Sequence, residues 1–394
     1  MEQVLVTVSL LVSNRIETIR DCMESIKPLL LAVPSELIAV DTVGEADSDG
    51  SLAVVREYTD NVVYFPWCND FAAARNAGLK RAKGEWFLYL DDDEVFEDIS
   101  EITEFFRSGE YKSYGAGYYR VLDHLSDGST RDGVVGRMVK RTERTRFVGR
   151  VHEAFNEVQE PFKTFQAFVH HYGYRFANEE ERAAHQRRNV TLLKEELAKT
   201  GVTPRLGAQM MQELLNRKET ADAGFAFFAD CMKVLAEPKA LADSCTQWML
   251  VASVRYFKVK KDYEGLLRQA EAIKTTYPLS PVAQLALAGV VIETSAPEGN
   301  VYAILEYAPL YKAAWQWLLT HEKEAIPQKQ LDFTNYCSRD YAVQVFQAAA
   351  TCANAIRDYR AAYGYWEMLP WNDASFDGSA YAEEMKKTLR GLEG

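Results

Sequence analysis

Residues 85–94 constrain the fold of this chain more than any other stretch, because they join a short apolar run to an acidic cluster. Residues 86–90 are apolar and too few for a helix, which predicts a buried β-strand. Asp91, Asp92 and Asp93 follow that strand directly. Carboxylates at the end of a buried strand repel one another in a low dielectric, and a hard cation such as Mg²⁺ or Mn²⁺ relieves the repulsion. The alternative is a solvated acidic loop.

Strand and helix patterns alternate from the start of the chain to these aspartates. Residues 4–12 and 36–40 are typical of buried parallel strands, and the residues between them have helical spacing. A unit of strand, helix and strand forms a right-handed crossover. A third strand at 62–65 and a helix at 71–82 complete the pattern. The sequence therefore predicts a doubly wound parallel sheet, which binds ligands at the carboxyl ends of its strands.

The period of the sequence changes after this region. Between residues 114 and 174, apolar residues alternate with period two around a turn at Asp127 and Gly128, which predicts antiparallel strands appended to the sheet. From residue 178 onward, helical segments separated by glycine and proline replace the strands, and some carry residues of the tetratricopeptide (TPR) pattern.

We therefore expect an α/β domain over residues 1–177 and an all-α, TPR-like domain over residues 178–394. A helical solenoid most often binds a partner chain or a second copy of itself. The helical part therefore predicts a peptide or protein partner, or a homodimer formed through this region.

Composition narrows the class of protein. Hydrophobic residues make up 47% of the 394, which is ample for a packed core. The net charge of −12 argues against a nucleic-acid surface. The six cysteines include no Cys-x-x-Cys pair, which predicts reduced thiols. Without a signal-peptide pattern or an apolar run near the ~18 residues of a membrane span, we expect a soluble, cytoplasmic protein.

Several motifs up to Tyr174 resemble those of family-2 inverting glycosyltransferases with the GT-A fold. The residues that carry the resemblance are Ser13-Asn14-Arg15, Asp41-Thr42, Asp49-Gly50-Ser51, Trp67-x-Asn69-Asp70-Phe71-x-x-x-Arg75-Asn76, Leu90-Asp91-x-Asp93-Glu94, Phe147-x-Gly149-x-Val151-His152-Glu153 and His171-x-Gly173-Tyr174. Together with the helical region they are similar to bacterial peptide glycosyltransferases, which modify cysteine or serine of bacteriocin precursors, and to relatives that act on flagellin. The resemblance implies a Rossmann-like nucleotide-sugar domain, a UDP-sugar donor and Mn²⁺ or Mg²⁺.

The resemblance also implies which residues bind the donor. They are Leu11, Ser13, Asp41, Arg75, Asp91 and Asp92. Two of these have competing interpretations: Asp41 could be the cap of a helix that follows it, and Arg75 could form an ion pair with Asp91. Residues 43–48 depart from the pattern that the family has at this position and lengthen the loop beside the nucleotide, so uridine is less firmly implied than the fold.

Metal and catalytic roles follow from the later motifs. The resemblance implies Asp93 and His171 as metal ligands, with His171 preferred over His170, and an imidazole ligand slightly favours Mn²⁺ over Mg²⁺. Inverting transfer also needs a base for the acceptor proton. In an extended segment His152 and Glu153 would face opposite sides. We expect Glu153 to be the base and His152 to bind phosphate or shape the acceptor pocket.

Three alternatives stay open at this point. Glu153 could instead pair with Arg150 or another arginine. The acceptor could be a glycan or a lipid-linked sugar rather than a Cys, Ser or Thr side chain of a peptide. The chain could also be an inactive scaffold, although that class predicts loss of the metal ligands or the base, and all of them are present.

Overall fold

The computed structural model describes residues 3–321, 336–373 and 375–393. Contacts divide the chain into two compact units, residues 1–199 and 200–394. All strands of the described ranges lie in the first unit, and the second unit is helical. This confirms an α/β domain followed by an α-helical region. The division after residue 177 stays a prediction, and the first unit includes nearly all of a helix beyond it, Glu179–Thr200.

The strands of the first unit form one eight-stranded mixed sheet and a separate two-stranded pair. In chain order they are β1 (Val6–Val12), β2 (Ser35–Asp41), β3 (Val62–Tyr64), β4 (Trp86–Asp91), β5 (Glu94–Phe96), β6 (Ala116–His124), β7 (Thr130–Lys140), β8 (Phe147–Val148), β9 (Ala154–Phe155) and β10 (Phe162–His171). The order across the large sheet is β3-β2-β1-β4-β7-β6-β10-β5.

The first four strands of that order are parallel, as the alternating pattern predicted. The next strand, β7, runs antiparallel to β4. It also pairs antiparallel with β6, to which a turn around Gly128 joins it as a hairpin. The prediction of antiparallel strands fails for β10, which runs parallel to β6. The physical reason is the connection: the chain between β7 and β10 passes through the separate pair β8 and β9 instead of a second hairpin.

Helices cover both faces of the parallel strands. In the first unit they are α1 (Ile19–Ala32), α2 (Ser51–Arg56), α3 (Phe71–Arg81), α4 (Ser100–Arg107) and α5 (Glu179–Thr200). Alternate residues of β4 enter different cores: Leu88 packs with residues of α1 and α4, whereas Tyr89 packs with residues of α3. Since successive side chains of a strand alternate, Asp91 lies on the Tyr89 face, toward α3.

The second unit consists of helices that pack on their neighbours in sequence. Those described are α6 (Pro204–Leu215), α7 (Ala221–Val234), α8 (Pro238–Leu241), α9 (Ser244–Lys260), α10 (Tyr263–Thr276), α11 (Pro281–Ser295), α12 (Val301–Thr320), α13 (Arg339–Ala355), α14 (Tyr359–Trp366) and α15 (Ser379–Glu393). Pairs such as α9 with α10 and α11 with α12 pack together, as in stacked helical hairpins. In the described ranges, every helix is too short or too polar to cross a bilayer.

We expect Leu88→Ala to lower the free energy of unfolding by about 2–5 kcal/mol, because Leu88 is fully buried and its loss leaves a cavity beneath the sheet. Urea denaturation followed by circular dichroism measures this. Leu31→Ala is the control, since that leucine is 79% exposed, and its unfolding midpoint should stay near that of the parent protein. Equal effects of the two substitutions would contradict the assignment of the core.

Candidate active site

The carboxyl ends of β1, β2 and β4 meet at one edge of the sheet. Leu11 pairs with both Val40 and Asp91, and Val12 pairs with Asp41. Strand pairing therefore brings three of the predicted donor-binding residues together. The Leu11 side chain itself is buried in the core that includes α3, so any contact of this residue with a ligand stays a prediction.

Asp92 holds the loop that follows β1. Its Oδ2 accepts hydrogen bonds from the backbone N–H of Ser13 at 2.5 Å and from the Ser13 hydroxyl at 2.9 Å. Its backbone oxygen accepts a third bond, from the Thr18 hydroxyl at 2.9 Å. Burial and the charge of neighbouring Asp93 raise the pKa of Asp92 to about 7. Two predicted donor ligands, Ser13 and Asp92, are thus bonded to each other, and their contact with a donor stays a prediction.

Arg75 joins Glu153 to Asp91. From α3 its Nε donates to Glu153 Oε1 at 2.5 Å, and its Nη2 donates to Asp91 Oδ1 at 2.6 Å. The guanidinium is buried and lies 4.5 Å from the centre of the Tyr89 ring. The ion pair considered for Arg75 is therefore present, and so is the pairing of Glu153 with an arginine, which is Arg75 rather than Arg150. Contact of Arg75 with a phosphate stays a prediction.

A second arginine, Arg137, supports the same carboxylates, and the sequence motifs did not point to it. Its Nη2 lies 2.5 Å from Glu94 Oε1 and 3.3 Å from Asp91 Oδ2, and its guanidinium lies 4.6 Å from the Tyr89 ring centre. Burial raises the pKa of Asp91, but Arg75 and Arg137 outweigh burial and hold that pKa well below its usual range. Arg137 lies beside Asp91 and Glu94 because β7 pairs with β4. No local sequence pattern predicts the register between these two strands.

Asp93 and His171 face each other across the turn after β4. His171 Nε2 lies 3.5 Å from Asp93 Oδ1, and this buried oxygen accepts no hydrogen bond from the residues that the structure describes. Arg15 Nε lies 3.4 Å from the other oxygen, Oδ2. A Cβ added at Gly173 would lie 2.7 Å from His171 Nε2 and 2.9 Å from Asp93 Oδ2, so glycine keeps this space open. The two predicted metal ligands are therefore adjacent.

Charge and burial act on both groups. Burial raises the pKa of Asp93, and His171 partly offsets this. Burial lowers the pKa of His171, but its hydrogen bond to Asp123 and the charges of Glu94 and Asp93 outweigh burial and raise that pKa to about 9. Within the described ranges, no group of three or more Asp, Glu, His and Cys side chains is arranged to hold a metal. A cation here would need further ligands from outside the protein.

His170 points to a different set of partners. Its Nε2 lies 2.8 Å from Glu97 Oε2, and its Nδ1 lies 2.9 Å from His124 Nε2. Because consecutive residues of β10 face opposite sides of the sheet, only one of the two histidines can face Asp93. The structure places His171 there, in line with the preference drawn from the motif.

The segment with Val151, His152 and Glu153 is not extended. It forms a bend in which Gly149 and His152 have φ angles of 94° and 52°, in the left-handed region. The condition under which His152 and Glu153 would face opposite sides, an extended segment, is therefore not met. Glu153 is turned inward onto Arg75, with only 9% of its side chain exposed.

Two sequence blocks that are distant in the chain form one structure beside this bend. The Asn76 side chain donates to the Phe147 carbonyl at 3.0 Å and accepts from the Phe147 N–H at 2.9 Å. The Phe71 N–H donates to the Arg150 carbonyl at 2.9 Å. The start and the middle of α3 are thus bonded to the segment that carries Glu153. Both contacts require the spacing that the chain has between Phe71 and Asn76.

Asp41 caps the loop that follows β2. Its Oδ1 accepts from the N–H groups of Val43 and Gly44, each at 3.0 Å. The short helical turn that follows, Glu45–Asp47, has Gly44 rather than Asp41 at its N-cap, so Asp41 holds the loop and does not cap a helix. A contact of Asp41 with the donor stays a prediction. Gly44 has a φ of 91°, and a Cβ there would lie 3.0 Å from the Tyr64 ring, so the altered loop is packed against β3.

We expect Arg75→Met to lower the free energy of unfolding by about 3–5 kcal/mol, because removing one member of a buried charge network leaves carboxylates without their partner. Urea denaturation at neutral pH measures the change. Arg20→Met is the matched control: Arg20 pairs with Glu57 at 2.8 Å at the surface, where both side chains are more than half exposed, and its loss should leave the unfolding midpoint near that of the parent protein. A change for Arg75→Met no larger than the control would disprove the buried bridge.

Comparisons with known proteins give a family for most of the first unit. The family described as Glycosyl transferase family 2 matches residues 7–170. Glycosyltransferase SunS of Bacillus subtilis is 26% identical over 200 residues, which cover 49% of this chain and 45% of SunS. A TPR repeat-containing protein of Synechococcus elongatus is 27% identical over 179 residues, covering 43% of this chain and 42% of that protein. The chain thus matches less than half the length of these relatives.

Solved structures give a weaker likeness. Staphylococcus aureus TarS residues 1–349, in complex with UDP-GlcNAc, aligns over 69% of this chain and 92% of that one with 13% identity and a TM-score of 0.34. Mannosyltransferase PcManGT from Pyrobaculum calidifontis, in complex with GDP-Man and Mn²⁺, aligns over 68% and 87% with 16% identity and the same TM-score of 0.34. The family match has the greater weight, since its residues span β1 to β10 and every candidate site residue except His171, which follows its last residue directly. Residues 7–170 form a glycosyl transferase family 2 domain.

Proposed function

We propose that this chain is a metal-dependent inverting glycosyltransferase that moves a hexose or N-acetylhexosamine from a UDP-sugar to a Cys, Ser or Thr side chain of a peptide or protein. The observation that carries the proposal is the buried Oδ1 of Asp93. This oxygen accepts no hydrogen bond from the described residues and lies 3.5 Å from His171 Nε2, at the sheet edge where an α/β domain binds its ligand.

The residues beside this oxygen fit a divalent cation. A carboxylate oxygen and an imidazole nitrogen are suitable ligands for Mn²⁺ and also accept Mg²⁺. Because Asp93 and His171 supply only part of a coordination shell, the oxygens of a donor diphosphate are the natural additional ligands. The cation would neutralise the charge that develops on the diphosphate as the bond to the sugar breaks.

Glu153 is the proposed base. As the acceptor sulfur or oxygen attacks the anomeric carbon, its proton passes to the Glu153 carboxylate, and the bond from that carbon to the diphosphate breaks with its electrons on the diphosphate. Arg75 holds one oxygen of Glu153 through Nε and reaches Asp91 through Nη2. The base is thereby fixed relative to the end of β4, where the donor diphosphate would lie. His152 is an alternative base or a residue of the acceptor pocket.

The choice of a peptide or protein acceptor is supported by features other than the contacts of the site. It is supported by the motifs that resemble those of peptide glycosyltransferases and by the helical hairpins described in the second unit, an architecture that commonly binds chains. Homodimer formation through these helices stays a prediction. An inactive scaffold is disfavoured because Asp93, His171 and Glu153 are retained and adjacent to the same sheet edge.

We expect EDTA to abolish hydrolysis or transfer from a UDP-sugar, and Mn²⁺ or Mg²⁺ to restore it. Asp93→Asn removes a charged ligand and should weaken Mn²⁺ binding by more than about tenfold, measured by isothermal titration calorimetry. Asp132→Asn is the control, since Asp132 pairs with Arg120 at the surface. Full activity of the parent protein in metal-free buffer would refute the metal site.

We expect Glu153→Gln to leave UDP affinity nearly unchanged and to lower kcat by about 10²–10⁴-fold, because glutamine keeps the size of the side chain but cannot accept the proton. Steady-state kinetics with a peptide acceptor measures this, and Glu157→Gln, four residues further on, is the control. A loss that shrinks toward pH 9 would indicate a cysteine acceptor, whose thiol ionises near pH 8.5 without help. A Glu153→Gln enzyme as fast as the parent at pH 7 would transfer the role of base to another residue such as His152.

A further inference from the structure

Four charged residues form one row across four neighbouring strands. Arg131 of β7 pairs in register with Asp123 of β6, Asp123 pairs with His171 of β10, and His171 pairs with Glu94 of β5. The row thus alternates between basic side chains, Arg131 and His171, and acidic side chains, Asp123 and Glu94. Cross-strand neighbours in register lie close enough to interact directly. The proposed metal ligand His171 therefore stands between two carboxylates that the sheet itself positions.

The bond between Asp123 and His171 is the best defined of these contacts. Asp123 Oδ1 lies 2.7 Å from His171 Nδ1, and the two side chains are only 14% and 17% exposed. In a neutral imidazole one ring nitrogen carries the proton and the other carries a lone pair. When Nδ1–H donates to Asp123, the lone pair is on Nε2. That Nε2 is the atom directed at Asp93 Oδ1. The carboxylate thus selects the tautomer and the ring orientation that metal ligation requires.

Asp123 is itself held in place. Its Oδ2 accepts hydrogen bonds from Arg131 Nε at 3.0 Å and Nη2 at 2.7 Å, and the Arg131 guanidinium lies 5.0 Å from the centre of the Tyr174 ring. With one oxygen fixed by Arg131, the other has little freedom to leave His171.

We propose that Asp123 is a positioning residue for the divalent cation, acting through His171 rather than touching the metal or the donor. The inference rests on the proposed function, because it takes His171 as a metal ligand. Carboxylates that orient a ligating histidine commonly change metal affinity by about 10–100-fold when they are removed. A residue with a merely structural role would lower stability without changing metal affinity.

The test measures Mn²⁺ dissociation constants by isothermal titration calorimetry on the full chain, both with and without UDP, because a nucleotide diphosphate supplies the ligands that the protein lacks. We expect Asp123→Ala to bind Mn²⁺ about 10–100-fold more weakly than the parent, and Asp123→Asn, which keeps an acceptor oxygen but loses the charge, to fall between the two. Asp132→Asn, on the neighbouring strand and paired with Arg120 at the surface, is the control and should match the parent.

The outcomes separate the two claims. A parent protein that binds no Mn²⁺ either with or without UDP contradicts the metal site of the proposed function. A parent that binds Mn²⁺, together with an Asp123→Ala variant that is folded and binds equally well, overturns the positioning role alone. If Asp123→Ala does not fold, Asp123→Asn decides: affinity weakened by about threefold or more supports the role, and the parental value overturns it.

Discussion

The site depends on a buried arginine, Arg75, placed between two carboxylates. Burying Glu153 and Asp91 beside each other would be costly without a cation, because charges lose the solvation of water and repel at short range. Arg75 meets both with hydrogen bonds of 2.5 and 2.6 Å, and Arg137 supplies a second positive charge for Asp91. Both guanidinium groups also pack on Tyr89, so the aromatic ring fixes the charged groups by their apolar faces. The distance between the proposed base and the end of β4 follows from this arrangement.

The other half of the site is built by the sheet rather than by α3. The row from Arg131 through Asp123 to His171 exists because β7, β6 and β10 pair in one particular register. A shift of one residue in β10 would turn His171 to the opposite face and bring His170 toward Asp93. The hairpin and crossover after residue 113 therefore position the proposed nitrogen ligand, whereas the parallel strand β4 leads into the carboxylates. Neither part of the domain contains a complete site alone.

The contacts between the motifs near Asn76 and Glu153 constrain the spacing within each motif but not the length of chain between them. Within α3, Phe71, Arg75 and Asn76 must lie along the helix so that their bonds reach Arg150, Glu153 and Phe147. The chain between the two blocks only has to bring them together, and it does so with the strands of the hairpin. A conformational constraint at His152, whose φ is 52°, then turns Glu153 inward.

The sequence alone determined the local elements and the chemical character of the site. Apolar runs of strand length, helical spacing and the aspartates after β4 are local properties, so they predict the parallel sheet and its functional edge. The choice of Asp93, His171 and Glu153 came from motifs that resemble those of a known family. Tertiary structure alone decided what depends on the register between distant strands: the positions of Arg137 and Asp123, the parallel direction of β10, and the bonds that tie Asp92 to Ser13. Hydrogen bonds and ion pairs act over a few Å, and sequence separation says little about which residues approach that closely.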